Sequence, residues 1–179
     1  MLIRTIFSGF GGQGVLSMGY TIANAAMREG KCVTYLPSYG VEVRGGTANC
    51  TVVVSDEEIA SPVASEPEFV VVMNQPSFVR FQAILPAGGL LCANSSMVDT
   101  STARTDIEVV AIPTSELAEE LGSVKVANMV MLGALIRVSD IVSFEFLLKN
   151  LTEVLGEGKS RLTDLNRRAL QRGFDFVRD

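Results

Sequence analysis

Short apolar runs alternate along this chain with stretches whose apolar residues recur every three or four positions, and glycines and prolines mark most of the joints. LIRTIFS, residues 2–8, predicts a strand, and GFGGQG, residues 9–14, a glycine-rich turn. From Val15 to about Gly30 the spacing predicts a helix that stops at Gly30. CVTYL (32–36) and TANCTVVVS (47–55) read as strands two and three, and FVVVM (69–73) as a strand covered on both faces, since a continuous apolar run leaves no side for solvent. Pro76 starts a short helix through about Ala83, PAGG (86–89) makes a turn, and 90–94 and 107–112 read as two more strands. The last third reads as helical. Ser115 caps ELAEEL, residues 126–138 are apolar nearly all round, and 144–155 and 159–178 follow as two further helices. The alternation predicts one α/β domain over 1–179, a mostly parallel open sheet flanked by helices, with a helical C-terminal third.

Composition narrows the class. A chain of 179 residues is long enough for one sizeable core. Its 15 Lys+Arg against 20 Asp+Glu give a net charge of −5, which argues against nucleic acid as a partner. No apolar stretch approaches the roughly 20 residues of a spanning helix, and MLIRTIFS leads into glycines without a cleavage-site pattern, so a cytoplasmic protein with no membrane partner is expected. The three cysteines, Cys32, Cys50 and Cys92, form no CxxC, and histidine is absent. The chain is therefore expected to bind no metal or cluster by itself, and any catalysis would come from positioning, electrostatics or groups on a partner.

Two stretches carry candidate chemistry. Gly9, Gly11 and Gly14 have the G-x-G-x-x-G spacing between a strand and a helix, with Gly12 and Gln13 between them. There, bare amides and a helix start can hold a phosphate or carboxylate, or the glycines can simply make a tight turn. A dinucleotide needs an acid at the end of the second strand, but the first acid after it is Glu42; a P-loop needs a Gly-Lys-Ser/Thr that is missing. The second stretch is SYGVEVRGGT, residues 38–47. Its start should leave strand two at the edge where the glycine turn leaves strand one. Arg44 offers a planar fork for an anion, Glu42 can hold that fork or meet a donor, and Gly45 and Gly46 allow close approach. Tyr39 belongs to the same stretch. An exposed Glu42–Arg44 pair on a hairpin-like loop is the plainer alternative. Asn74 can reach the same crevice or cap the helix after it.

GFGGQG, SYGVEVRGGTANC, VVVSDEEIASP, VVVMNQPS and KVANMVMLGAL, in that order between residues 9 and 135, resemble the gamma subunit of 2-oxoacid:ferredoxin oxidoreductases, the family acting on pyruvate, 2-ketoisovalerate or 2-oxoglutarate. Val41 and Val43 stand where many relatives carry proline and methionine. The resemblance implies a subunit of a complex that oxidatively decarboxylates a 2-oxoacid to an acyl-coenzyme A while reducing ferredoxin. Thiamine diphosphate with Mg2+ and the iron–sulfur clusters are then expected on alpha, beta and, where present, delta subunits, with coenzyme A as a substrate. On that reading this chain contributes no catalytic residue. Gly9, Gly11, Gly12, Gln13, Gly14, Tyr39, Glu42, Arg44, Gly45, Gly46, Asn74 and, at the start of the apolar helix, Asn128 line the crevice; Lys125 resembles a family position too. The small subunit of an indolepyruvate ferredoxin oxidoreductase, a free-standing nucleotide-binding module and a pure assembly scaffold are the competing expectations. An orphaned apolar face would let the isolated chain self-associate.

Overall fold

The computed structural model describes residues 1–39, 47–156 and 163–177. Among these, six strands form one sheet: β1 Leu2–Phe10, β2 Cys32–Tyr39, β3 Thr47–Ser55, β4 Phe69–Val72, β5 Leu90–Asn94 and β6 Glu108–Ile112. The order across the sheet is β2-β3-β1-β4-β5-β6. β1, β4, β5 and β6 are mutually parallel, and β3 runs antiparallel to both β1 and β2. Five strands thus point one way, and β3 is wedged against the grain between β1 and β2.

The helices are α1 Val15–Arg28, α2 Gln75–Gln82, α3 Thr114–Glu120, α4 Ala127–Ser139, α5 Phe144–Lys149, α6 Leu151–Leu155 and α7 Thr163–Phe176. Strand alternation divides the core in two. Phe7, Cys50, Val52, Val71 and Cys92 face α1, α4 and the C-terminal helices. Ile6, Val70, Val72 and Leu91 face Phe78 and Phe81 of α2. β4 contributes to both sides, which is why its sequence is apolar without interruption.

The predicted elements stand among the described residues, with several corrections; of the predicted 159–178 helix, α7 is the described part, and 159–162 and 178 lie outside the described residues. β1 runs on through Phe10, so Gly9 is a buried strand residue paired with Ala48 and not part of the turn. β2 continues to Tyr39, so the 38–47 stretch begins and ends inside paired strands. α1 ends as expected: Gly30 takes φ 83°, and the amides of Gly30 and Lys31 bond the carbonyls of Met27 and Ala26. Ser115 is not a cap. α3 starts one residue earlier, at Thr114, and the Ser115 hydroxyl accepts from Asn94 Nδ2 at 3.2 Å. The predicted 144–155 helix divides at Asn150, whose main-chain and side-chain amides both bond the Phe146 carbonyl. A short 3-10 turn, Val124–Val126, precedes α4.

α4 is core. Nine of its residues are buried, and it crosses α7 at Gly133 and Gly173. A Cβ on Gly133 would fall on the Leu170 carbonyl and one on Gly173 on the Val130 carbonyl, so the two backbones touch. Two faces of α4 are thereby consumed, by the sheet on one side and α7 on the other, which accounts for a helix with no polar stripe.

Candidate functional site

The connection from β1 runs through α1 to β2 on one side of the sheet, and that from β4 runs through α2 to β5 on the other. The carboxyl ends of β1 and β4 therefore flank the point where the strand order reverses, the place in an open α/β sheet where a crevice forms. Gly11 to Gly14 follow β1 there, and Met73 and Asn74 follow β4.

The glycines have different reasons to be glycine. At Gly9 a Cβ would meet Gln13 Oε1, Met73 and Val15 within 3 Å. Gly12 and Gly14 take φ of 92° and 76°, a left-handed backbone that other residues adopt at a cost. The Asn128 side chain also lies 2.5 Å from where a Gly14 Cβ would stand. Gly11 has an ordinary backbone and nothing within 4 Å of its missing Cβ. Nothing in the described fold requires glycine at that position.

Gln13 is a brace. Its Oε1 accepts from the Phe10 amide at 2.6 Å and lies 3.5 Å from Asn74 Nδ2, while its Nε2 donates to the Met73 carbonyl at 3.0 Å and approaches Met97 Sδ at 3.4 Å. One side chain ties the turn after β1 to the end of β4. Asn74, 1% exposed, caps α2 by accepting from the Ser77 amide at 2.9 Å.

A cleft of about 230 Å3 opens beside this brace, lined by Gly12, Gln13, Met73, Met97, Lys125 and Asn128, with Asn94, Ser115, Val124 and Ala127 completing the wall. Two of the expected site residues besides Gln13 thus meet there, Gly12 and Asn128, and Gly11 stands exposed beside them. Lys125 is the one charged side chain in its lining among the described residues. α1 starts here without a side-chain cap and without an acid in its first turn, so its amide end stays electropositive, whereas α4 continues from the 124–126 turn, where Ser123 Oγ accepts from the Lys125 amide and the Ala127 amide bonds the Val124 carbonyl. Met97, Ser115 and Asn94 come from three separate stretches. The only sequence signal for them was their position just after β5 or at the start of a helix on the same sheet edge.

Tyr39 lies level with this edge. The ladder aligns Gly9 with Ala48 and Ala48 with Tyr39, so β1 and β2 end at the same height, two strand spacings or roughly 10 Å apart. Glu42, Arg44, Gly45 and Gly46 lie outside the described residues. A second, larger groove of about 700 Å3 lies at the opposite end of the sheet, where Glu57, Glu58 and Glu66 would repel an anion. The thiols take no part in the cleft. Burial pushes Cys50 up to about 12, and burial with the nearby Glu108 carboxylate does the same to Cys92.

This geometry has close counterparts. Residues 4–176 match the family model for pyruvate ferredoxin/flavodoxin oxidoreductase. Ketoisovalerate oxidoreductase subunit VorA of Methanothermobacter marburgensis is 36% identical over 176 residues, 98% of this chain, and the chain spans only 37% of that protein's length. 2-Oxoglutarate synthase subunit KorC of Methanocaldococcus jannaschii is 33% identical over 175 residues, covering 96% of this chain and 92% of the relative. The crystal structure of a keto/oxoacid ferredoxin oxidoreductase gamma subunit from Geobacter sulfurreducens superimposes with a TM-score of 0.84 at 29% identity, over 98% of this chain and 95% of that one. With a match over residues 4–176 and a relative 33% identical over 96% of this chain and 92% of its own length, the chain belongs to the pyruvate ferredoxin/flavodoxin oxidoreductase family.

Proposed function

We propose that this chain is one gamma-type domain, serving as the non-redox subunit of a 2-oxoacid:ferredoxin oxidoreductase that converts a 2-oxoacid to an acyl-coenzyme A and CO2. The observation that carries the reading is Gly11: an exposed glycine beside an electropositive cleft, whose missing side chain would meet nothing among the described residues. Space kept open at the switch point of a sheet fits a guest that approaches the backbone.

The guest is anionic. The amides of the 11–12 turn, the start of α1 and the Lys125 ammonium offer donors and positive potential, and the lining holds no carboxylate among the described residues. A phosphate of coenzyme A or the carboxylate of a 2-oxoacid suits those donors, with Met73, Met97 and Val124 giving apolar walls. Gln13 keeps the turn at a fixed distance from β4, and Asn128 packs over Gly14 to hold the α1 start in place. Arg44 and Glu42, on the stretch joining β2 to β3 at the same sheet edge, are proposed to add the fixed cation and its partner, with Tyr39, Gly45 and Gly46 beside them. Gly9 and Asn74 act behind the surface, as packing and as a cap.

Thiamine diphosphate with Mg2+, held by alpha and beta chains, would supply the electron sink for decarboxylation, and clusters on sister chains the path to ferredoxin. This chain contains no histidine, so proton transfer near neutral pH falls to the sister chains as well. The cytoplasm is the proposed location; no helix among the described residues is long and apolar enough to cross a membrane.

The test is an anaerobic pull-down with a tagged copy of this chain, followed by mass spectrometry. Sister chains carrying thiamine-binding and CxxC-rich sequences should co-purify, and the complex should reduce ferredoxin with a 2-oxoacid and coenzyme A. A chain that purifies alone and binds a free nucleotide tightly in calorimetry would instead be a free-standing binding module.

A further inference from the structure

One family-like stretch, VVVSDEEIASP, plays no part in the cleft. It ends β3 and runs along the other end of the sheet, where the roughly 700 Å3 groove lies. The groove's floor is the face of β1 and β3 that carries Leu2, Arg4, Val53 and Ser55, and its wall is the 57–66 segment.

This is a sheet face without a helix. The core on that side draws on β1, β4, β5 and α2 and includes no residue of β2 or β3. Register shows how far the opening extends. Thr34 lies opposite Val53, and Leu36, two residues further along the same face, lies opposite Thr51. Leu36 is 43% exposed, Leu2 46% and Val63, on the groove wall, 60%. β1, β3 and β2 pair antiparallel, an arrangement that can leave one face open. Among the described residues no helix covers β2 and β3 on this face: Val53 and Ser55 are buried there, while Leu36 and Leu2 stay open.

Charge says what fits. Glu57, Glu58 and Glu66 are exposed on the wall and have no ion pair among the described residues. The two cations beside them are already used: Arg4 Nη1 lies 2.8 Å from Glu68, and the Met1 ammonium 2.6 Å from Asp56. Three uncompensated carboxylates beside exposed aliphatic side chains form a strip that repels acidic surfaces and favours a basic one with an apolar centre.

We infer that this face docks a segment of a sister subunit in which apolar residues are flanked by lysines or arginines. The segment packs on the exposed Leu2, Leu36 and Val63 beside the acidic wall. The inference rests on the subunit reading above, but it concerns the opposite end of the sheet from the cleft.

The experiment uses the assembled complex. A photo-crosslinking amino acid replaces Val63, and a second copy carries it at Val79 on α2, 58% exposed and away from the groove. Peptide mapping should join position 63 to a sister-chain segment with at least two Lys or Arg around an apolar core. In parallel, the Glu57→Lys, Glu58→Lys, Glu66→Lys triple variant, checked for folding by circular dichroism, should retain sister chains at least about tenfold less well, and raised salt should weaken the wild-type complex in the same direction. A complex that forms normally with the triple variant, or a crosslink from 63 to an acidic segment or to nothing, overturns the docking face and leaves the subunit reading intact. Failure of any sister chain to co-purify with the wild type overturns both.

Discussion

Gly133 and Gly173, where α4 crosses α7, and Gly11 and Gly12, where β1 hands over to α1, are absent side chains put to opposite uses. At the crossing, each missing Cβ is replaced by the backbone of the other helix. At the turn the missing Cβ atoms face nothing within 4 Å among the described residues. One pair closes a gap inside the chain, and the other leaves a gap at its surface. A glycine filled from within is explained by folding. One that stays open needs a reason from outside, and at Gly11 not even backbone conformation supplies one.

The largest effect should fall at the crossing. Gly173→Ala puts a methyl group on the Val130 carbonyl, where no side-chain rotation relieves it. Separating the helices should cost at least ~3 kcal/mol, the upper end for overpacking a core, and should appear in urea denaturation as a lower midpoint or as failure to fold. A loss under about 1 kcal/mol would mean that the helices are not held backbone to backbone.

Gly14 is intermediate, because it is both left-handed and covered. Gly14→Ala should cost roughly 1–2 kcal/mol from the backbone alone, and more if Asn128 cannot swing aside. The double variant Gly14→Ala, Asn128→Ala separates the two contributions. It should recover the part due to crowding and leave the backbone part.

The thiols extend the same contrast between closed and open ground. Cys50 and Cys92 are buried and Cys32 is exposed, so a thiol reagent should modify Cys32 rapidly in the native protein and the other two only after denaturation. Both buried thiols ionise less readily folded than unfolded. Their contribution to stability is therefore complete below pH 9 and is lost as pH rises towards about 12, giving a falling denaturation midpoint across that window.

Much of this arrangement was legible from sequence because it depends on local pattern. The bounds of β3, the uninterrupted apolarity of β4 and the stop at Gly30 follow from periodicity and turn chemistry. What was not legible depends on partners distant along the chain. Ser115 has the chemistry of a cap, but Asn94 takes its hydroxyl. Asn150 divides a helix through its own side chain. Gly133 and Gly173 carry no local sign of a helix crossing, which exists only once the two helices are placed together. At the candidate site, Gly12 of the glycine turn lines the cleft, yet Gly9 and Gln13 serve the fold, Lys125 comes from the family-like block at the start of the apolar helix, and Met97 and Ser115 reach the cleft from stretches with no motif of their own. The antiparallel insertion of β3 between β1 and β2 left no local trace, although it sets the ends of β1 and β2 level.

Gly11→Ala in the reconstituted complex is the most direct test. The substitution adds one methyl group to open space on an ordinary backbone, so the chain's stability should change by less than ~0.5 kcal/mol. Turnover with 2-oxoacid and coenzyme A should nevertheless fall by roughly tenfold or more, about 1.4 kcal/mol of lost transition-state stabilisation. Unchanged turnover at unchanged stability would show that no guest approaches this backbone and would contradict the account.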